Sequence, residues 1–172
     1  RASVHIEDRG YQFADGVYEV AGLRGGLFMD MGLHMARLER SLGELSIAPP
    51  MSMEALKAVL RETVRRNRLT DGYVYFQITR GVAPRDHAFP AHARSALVVT
   101  AKRIPPGRFD AAMESGIKVI CVPDRRWQRR DIKSIALLPN ILAKQEARAA
   151  GAYEAWQVED GVVTEGSSTN AW

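Results

Sequence analysis

Lys133, in RRDIKSIALLPN at 129–140, sits between a basic run and an apolar run. Taken by spacing alone it is a solvated strand-end lysine. Its flanks point elsewhere. Ile132 precedes it, IALLPNIL follows, and Arg125, Arg126, Arg129 and Arg130 lie just upstream. Burial and neighbouring positive charge both disfavour an ammonium. An amine kept neutral is a nucleophile or a base, and Schiff-base formation with an aldehyde cofactor is its leading use. A second candidate is TEGSSTN at 164–170, where the carboxylate of Glu165 precedes Ser167, Ser168, Thr169 and Asn170. Those donors suit a phosphate or a polar ring edge, although a turn after a hairpin uses the same residues. A third is PRDH at 84–87, in which Arg85 and His87 are two apart in an extended loop and can address one anion. A solvated loop tip is the simpler reading of that fragment.

Other residues carry less. Arg37, in HMARL, is by default a surface helix arginine. His5, His34 and His92 lack metal-ligand spacing, so no metal site is expected. Cys121 lies within an apolar strand and is expected to be a packed core residue. RRWQRR sets an aromatic among arginines, a pattern that can stack on a nucleic-acid base. It is short and isolated, so nucleic-acid binding is the disfavoured reading.

The elements that must position these residues follow from periodicity. Residues 3–6 alternate and predict a strand, and EDRGYQFADG predicts a loop. Two strands, 17–23 and 27–30, meet at Arg24-Gly25-Gly26, a hairpin signal. Met31, Met35, Leu38, Leu42 and Leu45 recur at helical spacing, and APP at 48–50 ends that helix. Ser52 is placed to cap a second helix running to about Asn67. GYVYFQITR at 72–80 and SALVVTAK at 95–102 predict strands, separated by a loop long enough to be functional. After IPPGRF come a strand at 117–122, a helix in LLPNILAKQEARAAG stopped at Gly151, and a hairpin of 153–158 with 162–165 around EDG.

That order gives a mixed α/β (α+β) chain of two lobes: an N-terminal domain over 1–103, a linker at 104–109, and a second lobe over 110–172 that is too small to close its own sheet. Of 172 residues, 46% are hydrophobic, enough for a packed core. No apolar run approaches the roughly 20 residues needed to span a bilayer, and no export leader opens the chain, so no membrane partner is expected. A single cysteine excludes an internal disulfide and fits a cytoplasmic protein. The net charge is +4, and 19 of the 24 basic residues are arginine, which suits anionic small molecules.

Five blocks, EDRGYQFADGVYEV, HMARL, YFQITRGVAPRDHAFP, RWQRRDIKSIALLPNILAKQEA and TEGSSTNAW, stand in an order that resembles the fold-type IV pyridoxal-phosphate aminotransferases. Within that class they are most similar to the D-amino-acid branch. The resemblance covers nearly the whole chain. It implies a homodimer of two-lobed chains, with a small N-terminal domain over 1–103 and the start of a larger cofactor-binding domain, incomplete here, over 110–172, using pyridoxal 5'-phosphate to move an amino group between a D-amino acid such as D-alanine and a 2-oxo acid such as 2-oxoglutarate. It implies that Lys133 carries the cofactor and shuttles the proton, that Glu165 pairs with the pyridine nitrogen, and that Arg37 binds the phosphate. Ser167, Ser168, Thr169 and Asn170 match the polar loop near the cofactor. Tyr18 matches a tyrosine beside the substrate. Arg85 and His87 match the pair that traps the substrate carboxylate, delivered from the neighbouring subunit. Branched-chain L-aminotransferases, R-selective amine transaminases and aminodeoxychorismate lyases of the same fold are the alternative. The family extends beyond both ends of the chain, so part of the cofactor site is expected to be absent.

Overall fold

The computed structural model describes residues 2–170. Its elements run α1 (Arg9–Phe13), β1 (Gly16–Arg24), β2 (Leu27–Phe28), α2 (Met31–Glu44), α3 (Met53–Arg66), β3 (Gly72–Thr79), β4 (Ala96–Arg103), α4 (Asp110–Ser115), β5 (Val119–Pro123), α5 (Leu138–Ala149), β6 (Glu154–Glu159) and β7 (Val162–Gly166). One sheet has the order β2-β1-β3-β4 and is antiparallel throughout. The other has the order β5-β6-β7, with β5 and β6 parallel and β6 and β7 antiparallel. The chain divides into two compact units. The first runs to Pro105 and takes in Asp131–Ile135; the second comprises Pro106–Arg130 and the chain from Ala136 onward.

In the first unit, period-two alternation puts Val17, Ala21 and Leu23 of β1 and Val74, Phe76 and Ile78 of β3 on one buried face. Helical spacing on α2 delivers Met35, Leu38 and Leu42 to the same core, and α3 delivers Leu56, Leu60 and Val64. Ser52 caps α3, its hydroxyl accepting from the Ala55 N–H at 3.2 Å. Ile132 joins this core although it lies far along the chain. The sequence assigns 110–172 to one domain; the packing differs because Ile132 is buried with β1 and α2 and Ser134 bridges Val17.

In this unit two local expectations fail. Residues 3–6 form no strand: Val4 and Ile6 are exposed and have no ladder partner among the described residues. EDRGYQFADG is not all loop, because the Asp8 side chain accepts from the Gly10 N–H at 2.8 Å and starts α1. Ala14, at φ 55°, ends it.

The second unit is built on a β5–α5–β6 crossover. Small residues, Ala143 and Ala147 of α5 and Ala155 of β6, let the helix lie close against Val122. Asp160 and Gly161, both at positive φ, turn β6 into β7 as a two-residue hairpin requires. Cys121 is exposed rather than packed, because alternation along β5 commits Val122 to the buried face. No helix among the described residues is long and apolar enough to cross a membrane.

Candidate active site

Lys133 is held by its neighbours. Ile132 is anchored in the core, and the Lys133 N–H donates to the buried Ser41 hydroxyl of α2 at 3.4 Å. The Tyr18 N–H donates to the Lys133 carbonyl at 3.0 Å, and the Ile135 N–H to the Gly16 carbonyl at 3.1 Å. The segment is thus strapped to β1 as a short antiparallel bridge, Val17 opposite Ser134. Gly16 permits the close approach: a Cβ there would meet the Ile78 carbonyl oxygen at 2.7 Å and Ile135 Cδ1 at 3.2 Å. The strap leaves Lys133 half-buried with Nζ 4.6 Å from the Tyr18 ring centroid.

Tyr18 itself faces away from the core. Register places it opposite Gln77, with Val20 opposite Tyr75, so Tyr18, Tyr75 and Gln77 share one sheet face. The Tyr18 and Tyr75 rings stack at 5.5 Å, and the Tyr75 hydroxyl donates to Gln77 Oε1 at 2.7 Å. Burial, together with Tyr18, pushes the Tyr75 phenol up. A lysine amine thus lies beside a half-buried aromatic and amide surface. Tyr75 and Gln77 were not singled out in the sequence, yet the alternation of GYVYFQIT already puts them on one face.

Arg37 is engaged with an acid the sequence did not flag. Its Nε and Nη2 donate to the two oxygens of Glu19 at 2.6 and 2.7 Å, and His34 Nδ1 lies 2.8 Å from the same carboxylate. The Glu19 side chain is fully buried. Burial pushes its carboxyl up, but Arg37 and His34 outweigh this and hold it below the usual range. The signal was present. Glu19 is the lone acid on the buried face Val17, Glu19, Ala21, Leu23, and His34 and Arg37 are three apart on one helix face.

Arg85 and His87 project from the exposed loop between β3 and β4. Both lie against Phe13 of α1: the Arg85 guanidinium carbon is 4.5 Å from its ring centroid, and the His87 ring is 5.4 Å away. The loop is pinned from beneath. Buried Arg9 donates to the Asp86 carbonyl at 2.6 Å and to Asp15 at 2.7 Å, and buried Arg80 donates to both Asp15 oxygens. Burial raises the Asp15 carboxyl; the two guanidinium groups bring it down below its ordinary value.

The remaining candidates belong to the second unit. Glu165, on β7, pairs across the ladder with Gln157, whose buried Nε2 has no hydrogen-bond partner among the described residues. The loop after β7 is gripped by the fully buried Glu154, which accepts from both hydroxyls, Ser167 and Ser168, from the Ser168 N–H at 3.2 Å and from the Ala155 N–H at 2.8 Å. Lys144 Nζ stands 3.4 Å from it. Burial would raise this carboxyl, yet the hydroxyls, the amide and Lys144 hold it at about 2. The Asn140 side-chain amide donates to the Ser167 carbonyl, and the Gly166 N–H to the Thr169 carbonyl. Thr169 and Asn170 are exposed.

The arginines around RRWQRR are largely committed. Arg126 binds Asp124, Arg130 binds Asp124 and Glu159, and Arg125 binds Glu146. Thr164, next to Glu165, donates to Asp124 at 2.7 Å, so these pairs brace β7. Such pairing weakens two expectations together: a basic nucleic-acid patch, and an uncompensated positive run upstream of Lys133.

The family model of amino-transferase class IV matches residues 16–172. D-alanine aminotransferase of Bacillus licheniformis is 44% identical over 170 residues, 99% of this chain and 59% of that relative. The chain thus spans about three-fifths of the length of the curated relative it matches. The solved structure of 4-amino-4-deoxychorismate lyase from Pseudomonas aeruginosa superposes with a TM-score of 0.83 at 26% identity, covering 98% of this chain and 62% of that one. A hypothetical aminotransferase from Mycobacterium tuberculosis, solved in its PLP-bound form, superposes with a TM-score of 0.78 at 20% identity, covering 97% and 60%. At that identity the likeness establishes the fold.

Proposed function

Because the chain belongs to the class IV amino-transferases, we propose that the protein it represents transfers an amino group between a D-amino acid, such as D-alanine, and a 2-oxo acid, such as 2-oxoglutarate. The observation that carries this reading is the strapped Lys133, its amine over Tyr18, in a chain 44% identical to a D-alanine aminotransferase. Pyridoxal 5'-phosphate is the cofactor the family implies, and the residues present fit it. They supply an amine on a fixed backbone, a guanidinium held by a buried acid, a hydroxyl-rich loop clamped by Glu154, and an unpaired buried amide donor across the ladder from Glu165.

When bound, that cofactor supplies an electron sink for the carbanion formed at the substrate α-carbon. The protein's own residues do the rest. Lys133 Nζ is the group that would tether the cofactor and, once the substrate amine has displaced it, would take up the α-proton as a free amine. Glu165 holds the proton at the ring nitrogen. Arg37, oriented by Glu19, meets the phosphate, with Ser167, Ser168, Thr169 and Asn170 as the polar loop near the cofactor. Tyr18 lines the substrate side. Arg85 and His87 bind the α-carboxylate, reaching into the neighbouring subunit of a homodimer. The side from which that carboxylate is held decides which enantiomer turns its α-hydrogen to Lys133.

The test is absorbance and reduction of the full-length protein. A visible cofactor band should be lost on borohydride treatment as the cofactor becomes fixed to the Lys133 peptide. A reducible adduct that persists in Lys133→Ala would remove the assignment. Branched-chain and lyase activities on this fold are separated by Arg85 and His87: replacing both should sharply weaken D-alanine turnover, and unchanged kinetics would favour those alternatives.

A further inference from the structure

Phe13 closes α1, is only partly buried and stands outside the hydrophobic core. Its ring is nonetheless the common neighbour of three basic side chains. The guanidinium carbons of Arg85 and Arg9 lie 4.5 and 4.9 Å from its centroid, and the His87 imidazole lies 5.4 Å away, tilted by 49°. Cations at such distances are attracted by the ring quadrupole. Arg85 and His87 are otherwise exposed loop side chains, with many rotamers open to them.

The backbone beneath them is fixed independently. The Arg9 N–H donates to the Gly81 carbonyl at 2.9 Å, Asp8 bridges Val82, and the Arg9 side chain holds the Asp86 carbonyl between the two basic residues. Arg80 stacks on Phe89 at 3.6 Å further along the same loop. Arg9 and Arg80 share the carboxylate of Asp15, which locks both guanidinium groups beneath the loop.

We propose that Phe13 is a positioning residue: its ring sets the spacing and direction of Arg85 and His87 so that the two accept one carboxylate. It acts through them, without touching the reacting atoms. This rests on the reading of Arg85 and His87 given under Proposed function, and it assigns the affinity for the substrate carboxylate in part to α1.

The test uses the full-length holoenzyme and steady-state kinetics with D-alanine. Phe13→Leu should raise KM about two- to fivefold, the size expected for losing a cation–π contact at an exposed site, with kcat changed far less. Phe13→Tyr, which keeps the ring, should return KM to the wild-type value. KM is independent of enzyme concentration, so a reduced yield of Phe13→Leu does not blunt the readout, and Phe13→Met gives the same ringless comparison with a longer, unbranched side chain. Arg85→Ala is the reference. If Arg85→Ala raises KM and the ringless variants do not, the positioning role of Phe13 is overturned while the carboxylate pair stands. If Arg85→Ala leaves KM unchanged, the reading of the pair falls and the inference with it. Failure of Phe13→Tyr to recover KM would also count against the ring.

Discussion

Buried carboxylates hold much of the candidate machinery in place. Glu19 orients Arg37 through two charge-assisted hydrogen bonds and has no exposed surface of its own. Glu19→Gln keeps the volume but removes the charge, and should cost about 2 kcal/mol in urea unfolding, with weaker cofactor retention as Arg37 loses its orienting partner. Glu154 plays the corresponding part for the Ser167–Ser168 loop. Its folded-state pKa, about 2, lies below the ordinary 4.5. The unfolded chain therefore binds the proton more readily, and the stabilisation is complete above about pH 4.5 and lost as pH falls toward 2. Urea midpoints followed from about pH 7 to about pH 3 should show Glu154→Gln less stable at neutral pH, with a flatter acid limb. Parallel curves for the two proteins would place the stabilisation elsewhere.

At the scale of elements, the strap joining Asp131–Ile135 to β1 is the feature on which Lys133 depends. Gly16→Ala would push a methyl group into the Ile78 carbonyl and Ile135. It should destabilise the protein by about 1–3 kcal/mol, and hydrogen exchange should show faster loss of the Tyr18 and Ile135 amides than of the far end of the β1–β3 ladder, where Leu23 pairs with Gly72. Most of the flanking elements are legible in the sequence, because α2, α3, β1 and β3 combine unbroken periodicity with clear caps. Ser52 at the head of α3 and Asp160-Gly161 between β6 and β7 do what their residue types predict. The strap is not legible, since its partner is over a hundred residues away and DIKS carries no strand signal. The strand expected at 3–6 failed because alternation without a ladder partner specifies nothing. Cys121 failed because an apolar run hides which face alternation will bury. Among the candidate residues, Lys133 stood out by its flanks and Arg85 and His87 through the family resemblance, whereas Glu19 was masked inside an apolar strand and Phe13 inside a stretch that reads as loop.

At the scale of the molecule, the candidate residues are shared between the two units: Tyr18, Arg37, Arg85, His87 and Lys133 in one, Glu165 and Ser167 to Asn170 in the other. If Arg85 and His87 serve the neighbouring subunit, two inactive variants should rescue each other. Mixed dimers of Lys133→Ala with Arg85→Ala/His87→Ala subunits would contain one site with both an intact lysine and an intact carboxylate pair, and should regain measurable turnover. No recovery on mixing would place the pair in its own subunit's site or outside any site.

The central claim, that this is a transaminase acting on D-amino acids, meets its most direct test in the initial rate of pyruvate formation from D-alanine and from L-alanine, each with 2-oxoglutarate, at equal concentrations of the full-length holoenzyme. The account predicts rapid turnover of D-alanine, a rate near background for L-alanine, and loss of the D-alanine rate in Lys133→Ala. Equal rates with the two enantiomers, or a preference for the L form, would contradict it.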